Sequence, residues 1–244
     1  MPPVATRRPK TRKPRDRNRG LVAAVAAAVV VVGVLVIGSV FLRGGGDTSS
    51  TSGQGGTALV DGIPQNGTVL GDPAATVTFL QYEDIQCPFC KEYTDEAFPS
   101  IVEEYVRTGK VKIDFRGLEF LGDDSNTALR AVLGAAKQNK AWQLIELLYD
   151  NQGAENSGWV TDDLVSELAG SIAGLDVEQM QADAASAETT AEIEALADEA
   201  REREVGGTPW FFVAVGDAKP YPVQPQPLTD PAAFRPIFDD ALAG

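Results

Sequence analysis

Phe79 to Tyr93 reads FLQYEDIQCPFCKEY, an apolar run that passes within a few residues into two cysteines arranged as Cys87-Pro88-Phe89-Cys90. Upstream, Thr76 to Tyr82 (TVTFLQY) is rich in β-branched and aromatic residues and reads as a buried strand. Downstream, Phe98, Ile101, Val102, Tyr105 and Val106 mark one apolar stripe of a helix that Gly109 ends and Pro99 is expected to kink. Val111 to Phe115 (VKIDF) alternates like a second strand. Strand, CxxC, helix, strand is a βαβ unit with its cysteines at the first strand-to-helix turn.

That placement has a chemical consequence. A helix beginning at Cys87 aims unpaired backbone N–H groups and the positive end of its dipole at the sulfur, so a thiolate is favoured there. Thiols so placed reach pKa values of about 3.5 to 7.5 instead of about 8.5. Cys87 is then a good attacking or leaving group, provided solvent can reach it. Cys90, one turn later, is expected to be covered by the helix, to stay a thiol, and to resolve a mixed disulfide at Cys87. Three blander readings compete. A structural bridge across so short a loop stabilises by only about 2 kcal/mol. A zinc site needs two more ligands, and with no His and no further Cys only carboxylates remain. Two inert buried thiols do not require this spacing at a helix start. Redox chemistry is the favoured reading.

Working outward, Asn66-Gly67 and Gly71-Asp72-Pro73 are turn signals around a short apolar piece. From about residue 123 to 204 the texture is helical. Ala128, Leu129, Val132, Leu133 and Ala136 mark one helix, and Trp142, Ile145, Leu148 and Tyr149 another. Thr161 before Asp162 and Asp163 is an N-cap signal for a helix carrying Leu164, Leu168 and Ile172. Glu188 to Glu204 is a charged helix with Ile193, Leu196 and Ala200 inward and a Glu199/Arg203 pair. Trp210 to Val215 (WFFVAV) reads as a strand, the proline-rich stretch after it is too poor in donors for a central strand, and Asp230 to Leu242 reads as a closing helix.

The chain has 244 residues, no His and two Cys, which excludes Ser-His-Asp triads, Cys-His proteases and disulfide-dense scaffolds. Charge divides it. Residues 1–20 carry eight Arg and Lys against Asp16, whereas from residue 44 onward 12 basic residues face 34 acidic ones. So acidic a body repels phosphate backbones, and nucleic acid is not expected as a partner. The basic tail could bind nucleic acid instead, but membrane topology alone accounts for it. Leu21 to Leu42 is an uncharged run of 22 residues, about 33 Å as a helix, long enough to span a bilayer core of about 30 Å. It exceeds the apolar stretch of a cleavable signal peptide, and no A-x-A site follows, so a retained anchor is favoured. Positive charge before it places the tail at 1–20 in the cytoplasm and the body outside. Residues 43–58, rich in Gly, Ser and Thr, read as a flexible linker, leaving one domain over 59–244.

FLQYEDIQCPFCKEY, the later VGGTPWFFV (Val205 to Val213) and the helical stretch between them resemble the DsbA-like branch of the thioredoxin superfamily. The resemblance implies an α/β thioredoxin fold with a helical insertion. It also implies a cis Thr208-Pro209 peptide beside the reactive cysteine, where the backbone preceding the proline receives an extended substrate. Phe89 and Trp210 flank that site, either as an apolar platform for unfolded segments or as ordinary core and rim. The family often has a buried acid six residues before the reactive cysteine, and here that position is Gln81. Glu83 and Asp84 are nearby, with Glu83 expected to be a solvated surface acid. Without a buried carboxylate, resolution by Cys90 is expected to be slow or left to water.

The function expected from residues and resemblance together is thiol oxidation. An oxidised Cys87-Cys90 pair is attacked at Cys87 by the thiolate of a reduced exported protein, and a quinone-linked membrane oxidase restores the disulfide. No metal or organic cofactor is expected. The alternatives are a membrane-tethered reductase or isomerase, for example in cytochrome maturation, and a redox-silent holdase using the Thr208-Pro209 groove.

Overall fold

A computed structural model describes residues 57–244. The tail at 1–20, the span at 21–42 and most of the linker at 43–58 lie outside the described residues. Among the described residues no helix is long and apolar enough to cross a membrane.

Six strands form one mixed sheet in the order β1-β2-β4-β3-β5-β6, with β1 at Gln65–Asn66, β2 at Val69–Leu70, β3 at Val77–Glu83, β4 at Val111–Gly117, β5 at Trp210–Val215 and β6 at Tyr221–Val223. β3 is central, parallel to β4 and antiparallel to β5. Between β3 and β4 run helices α1 (Pro88–Glu96) and α2 (Phe98–Ile101) and a π-helical turn (Val102–Val106). The single kinked helix expected around Pro99 is therefore three pieces, with Pro99 in the first turn of α2, where its missing N–H costs nothing. The apolar stripe survives, since Phe98, Ile101, Val102, Tyr105 and Val106 are all buried.

The helical insertion comprises α3 (Asp123–Ala136), α4 (Ala141–Asp150), α5 (Asp162–Ser171), α6 (Val177–Ala184) and α7 (Ala187–Glu202). Thr161 caps α5 by accepting from Leu164 N at 3.1 Å. The Arg203 Nε to Glu199 Oε1 pair closes at 2.9 Å. In α3, a Cβ on Gly134 would stand 2.3 Å from the Met180 carbonyl oxygen, so only glycine lets α3 and α6 approach this closely. A 3-10 turn (Pro231–Ala233) and α8 (Arg235–Ala243) end the chain. β6 sits at the sheet edge and contains Pro222, as its shortage of donors requires.

The period-two alternation of β3 sorts side chains to two faces. Val77 and Phe79 join the main core, whereas Leu80 and Tyr82 face a smaller cluster with Phe212, Ala214 and Ala200 of α7. On the main face Phe79 stacks on Phe211 with centroids 5.1 Å apart and meets Phe238 of α8 edge-on at 5.0 Å. Tyr93 of α1 tilts against Phe211 at 5.0 Å. This aromatic layer fixes α1 against the end of β3, where the cysteines lie.

Candidate active site

Cys87 is the N-cap of α1, and Cys90 lies buried one turn into it. The turn leading to them is bonded throughout. Asp84 carbonyl accepts from Cys87 N at 2.9 Å, and Asp84 Oδ1 accepts from Gln86 N at 2.9 Å and from Ser125 Oγ at 2.7 Å. Asp84 Oδ2 accepts from Leu121 N at 3.0 Å. Gln86 Nε2 donates to Leu121 O and Ser125 Oγ, while Gln86 Oε1 accepts from Asn156 N at 2.7 Å. Gln152 Nε2 donates to the carbonyls of Ile85 at 2.6 Å and Cys87 at 3.2 Å. The insertion therefore holds the reactive turn from two sides. None of Ser125, Gln152 or Asn156 carries a sequence signal for this role, because each partner is 41, 65 and 70 residues away respectively.

Cys87 Sγ donates to the Thr208 carbonyl oxygen at 3.3 Å, and the Thr208-Pro209 peptide is cis. The fold thus brings Cys87, Cys90 and Thr208-Pro209 together across 121 residues of sequence. Cys87 is only 4% exposed, not the openly reachable sulfur expected at a helix start. Its enclosure follows from the bond to Thr208 and the packing of Cys90. Phe89 is 58% exposed, an apolar surface next to the sulfur. Trp210 is half-buried and packs against the Tyr82 and Phe212 cluster on the other face. A cavity of about 180 Å³ behind the cis peptide is lined by Pro209, Trp210, Val223 and Leu228. A second cis bond, Gln226-Pro227, borders it and was not foreseen.

The electrostatics of the two sulfurs diverge. The Cys90 thiol, hydrogen-bonded to Cys87, lowers the Cys87 pKa from 9.0 to about 6 against the opposing effect of burial, with help from the Thr208 side chain and the N–H groups of Cys90 and Phe89. Burial, the bond to Cys87 and the charge of Glu83 push Cys90 well above the usual thiol value. One sulfur is held toward thiolate and its partner toward thiol. Among the described residues no three His, Cys, Asp or Glu side chains converge as a metal-ligand set.

The expectation that Glu83 is a solvated surface acid is overturned, as is the loss of a buried carboxylate at Gln81. Gln81 and Glu83, two residues apart on β3, share the face that carries Phe79, and Glu83 is 2% exposed. Gln81 Nε2 donates to Tyr93 Oη at 2.6 Å, and Glu83 Oε2 accepts from Tyr149 Oη at 2.7 Å. Burial raises the Glu83 pKa to about 8, with the Tyr149 bond opposing and the Cys87 charge adding. A buried carboxyl is present after all, one step further along the strand. Asp84 is buried as well, and burial raises its pKa against the bonds it accepts.

Residues 64–218 match the profile of the thioredoxin family. The chain is similar to the probable disulfide bond formation protein D of Bacillus cereus, at 30% identity over 154 residues, covering 62% of this chain and 71% of that protein. It is similar also to disulfide bond formation protein D of Bacillus subtilis, at 28% identity over 162 residues, covering 65% of this chain and 73% of that one. The crystal structure of oxidised BdbD from Bacillus subtilis superposes with a TM-score of 0.63 at 25% identity, over 75% of this chain and 98% of that chain. With the CxxC helix start, the cis-proline loop and the helical insertion all in place, this chain belongs to the thioredoxin family.

Proposed function

We propose that the protein is a thiol-disulfide oxidoreductase that works as an oxidase, donating its Cys87-Cys90 disulfide to reduced exported proteins. The observation that carries the reading is the asymmetry of the two sulfurs: Cys87 lowered to about 6 and Cys90 raised. A stabilised Cys87 thiolate favours the reduced protein and so makes the disulfide a stronger oxidant. The relatives' shared name, disulfide bond formation protein D, agrees with that direction.

The steps balance. A substrate thiolate attacks Cys87 Sγ, forming a mixed disulfide and breaking the Cys87-Cys90 bond. Cys90 leaves with the electron pair and takes a proton, for which the protonated Glu83 carboxyl is the nearby source. A second substrate thiolate then attacks the substrate sulfur of the mixed disulfide. The substrate closes its own disulfide with loss of two electrons, and Cys87 departs as a thiolate that needs no proton at neutral pH. Thr208-Pro209 receives the extended substrate backbone beside Cys87, with Phe89 and Trp210 as apolar contacts.

The uncharged run at 21–42 after a basic tail supports a single-pass anchor with the tail at 1–20 in the cytoplasm, the linker at 43–58 and the domain from residue 59 outside. A quinone-linked membrane oxidase held in the same plane is the recycling partner proposed. Equilibrating the protein in defined glutathione ratios and trapping free thiols tests the direction. A potential well above the roughly -270 mV of cytosolic thioredoxin supports the oxidase, and one at or below that value assigns the protein to reduction.

A further inference from the structure

The proton that Cys90 takes up raises a question of supply. Cys90 and Glu83 are both buried, and Glu83 has no direct opening to solvent once Tyr149 is bonded to it. Once it gives its proton to Cys90, the Glu83 carboxyl is left as a buried anion until a second acid reloads it, so reloading belongs to the same opening event. The face of α4 that supplies Tyr149 carries two more acids in register. Glu146 lies three residues before Tyr149, and Asp150 lies four residues after Glu146, so all three share one stripe of the helix. Glu146 is 8% exposed, and its Oε1 is buried with no hydrogen-bond partner among the described residues. A buried charge without a partner is costly, and a buried acid escapes that cost by holding a proton.

We infer that Glu146 is the reloading station for Glu83, passing protons between the surface acids of α1 and α4 and the carboxyl that serves Cys90. This rests on the thiol-disulfide exchange proposed above and adds the route by which its proton enters. Glu146 acts through Glu83 and is a positioning residue, since it touches neither sulfur.

The charged neighbours support the direction of the route. From α4 itself Asp150 bears on Glu146, from β3 Glu83, and from α1 Asp95 and Lys91. Burial and then the Asp150, Glu83 and Asp95 charges raise Glu146, with Lys91 alone opposing, to about 8. Glu83 faces Tyr149 of α4 and Cys87 of α1 and is raised to about 8 as well. Tyr93 of α1 lies within reach of both Glu83 and Glu146 and feels each charge. Two neighbouring buried carboxyls that are both pushed upward do not both ionise at neutral pH, and their titration belongs to the pair. At the outer end of the stripe Asp150 is exposed, and on α1 the Lys91 to Asp95 pair at 3.0 Å is half-exposed.

Opening of the oxidised full-length protein's disulfide by excess glutathione, followed by stopped flow and corrected for thiolate concentration, reads the proton step. The wild-type rate is expected to hold to about pH 8 and fall above it. E146Q keeps the side-chain shape and is expected to open the disulfide about tenfold more slowly at neutral pH, with the inflection moved to lower pH because the like charge beside Glu83 is gone. E146D is expected to restore the wild-type profile in part. Wild-type rate and inflection in folded E146Q overturn the inference. Should E146Q fail to fold, the wild-type protein still decides. The infrared spectrum of the oxidised protein must show buried protonated-carboxyl absorption at neutral pH that titrates away near pH 8, and its absence overturns the inference equally. A wild-type protein whose disulfide no thiol opens overturns the proposed function instead, so the two failures are distinct.

Discussion

The hydroxyl of Tyr149 donates to Glu83 Oε2 at 2.7 Å, joining the helical insertion to the central strand directly behind the paired cysteines. The bond stabilises the ionised carboxylate, which is why it opposes the upward push of burial on Glu83. Replacing Tyr149 by Phe removes the donor and leaves the desolvation. Y149F should raise the Glu83 pKa further above about 8 and cost about 1 to 3 kcal/mol of stability through the unsatisfied oxygen. Carboxyl infrared titration and urea unfolding measure the two effects.

Glu83 also shapes stability against pH. Its pKa is about 8 in the folded chain and near the ordinary 4.5 when unfolded. Between those values the folded state binds more protons, so its contribution is fully present below the lower value and is lost as pH rises through the upper one. Unfolding free energy should therefore decline across that interval, and E83Q should show a shallower decline. Chemical denaturation at a series of pH values checks the slope, and equal slopes in both proteins would contradict the burial of this acid.

The Cys87 thiol moves the opposite way, to about 6 from 9.0. In the reduced protein its stabilising contribution is present above the unfolded value and is lost as pH falls through about 6. Thiolate absorbance should titrate with a midpoint near 6, and C90A, which removes the largest contributor, should move that midpoint up toward the ordinary thiol value. An unchanged midpoint in C90A would assign the acidity to the helix amides instead.

Asp84 accepts three hydrogen bonds through its carboxylate, from Ser125, Gln86 and Leu121. D84A strands three donors in the interior. It should lower stability by at least about 2 kcal/mol and loosen the turn enough to accelerate alkylation of Cys87. Iodoacetamide kinetics on the reduced protein give the second readout.

Gly134 offers a contest between two magnitudes. Alanine in a helix interior is favoured over glycine by about 1 kcal/mol, but a Cβ here stands 2.3 Å from the Met180 carbonyl oxygen. Overpacking costs about 1 to 3 kcal/mol, so G134A should be net destabilising in thermal unfolding.

Sequence patterns located β3, the CxxC helix start, β4, the Thr161 cap and the Glu199/Arg203 pair, because each rests on residues within a few positions of one another. Glu83 is buried against the expectation from its charge, although the same alternation places it on the face of Phe79. Charge argued for solvent, and what makes burial tolerable is a tyrosine 66 residues away. Glu146 sits on the apolar stripe of α4, four residues after Trp142 and three before Tyr149, and that position was the available signal. The breaks at Ala97 and in the π-helical turn left no trace beyond Pro99, since the buried stripe is the same either way. Residues 1–56 stand outside the described structure, and their membrane reading rests on charge and hydropathy alone.

The two carbonyls gripped by Gln152 make the insertion something other than a removable cassette. Grafting a sister protein's five-helix module onto this strand framework would import a different hand on the Cys87 backbone, and the transplant would recalibrate the sulfur's reactivity even if every atom of the CPFC tetrapeptide were kept.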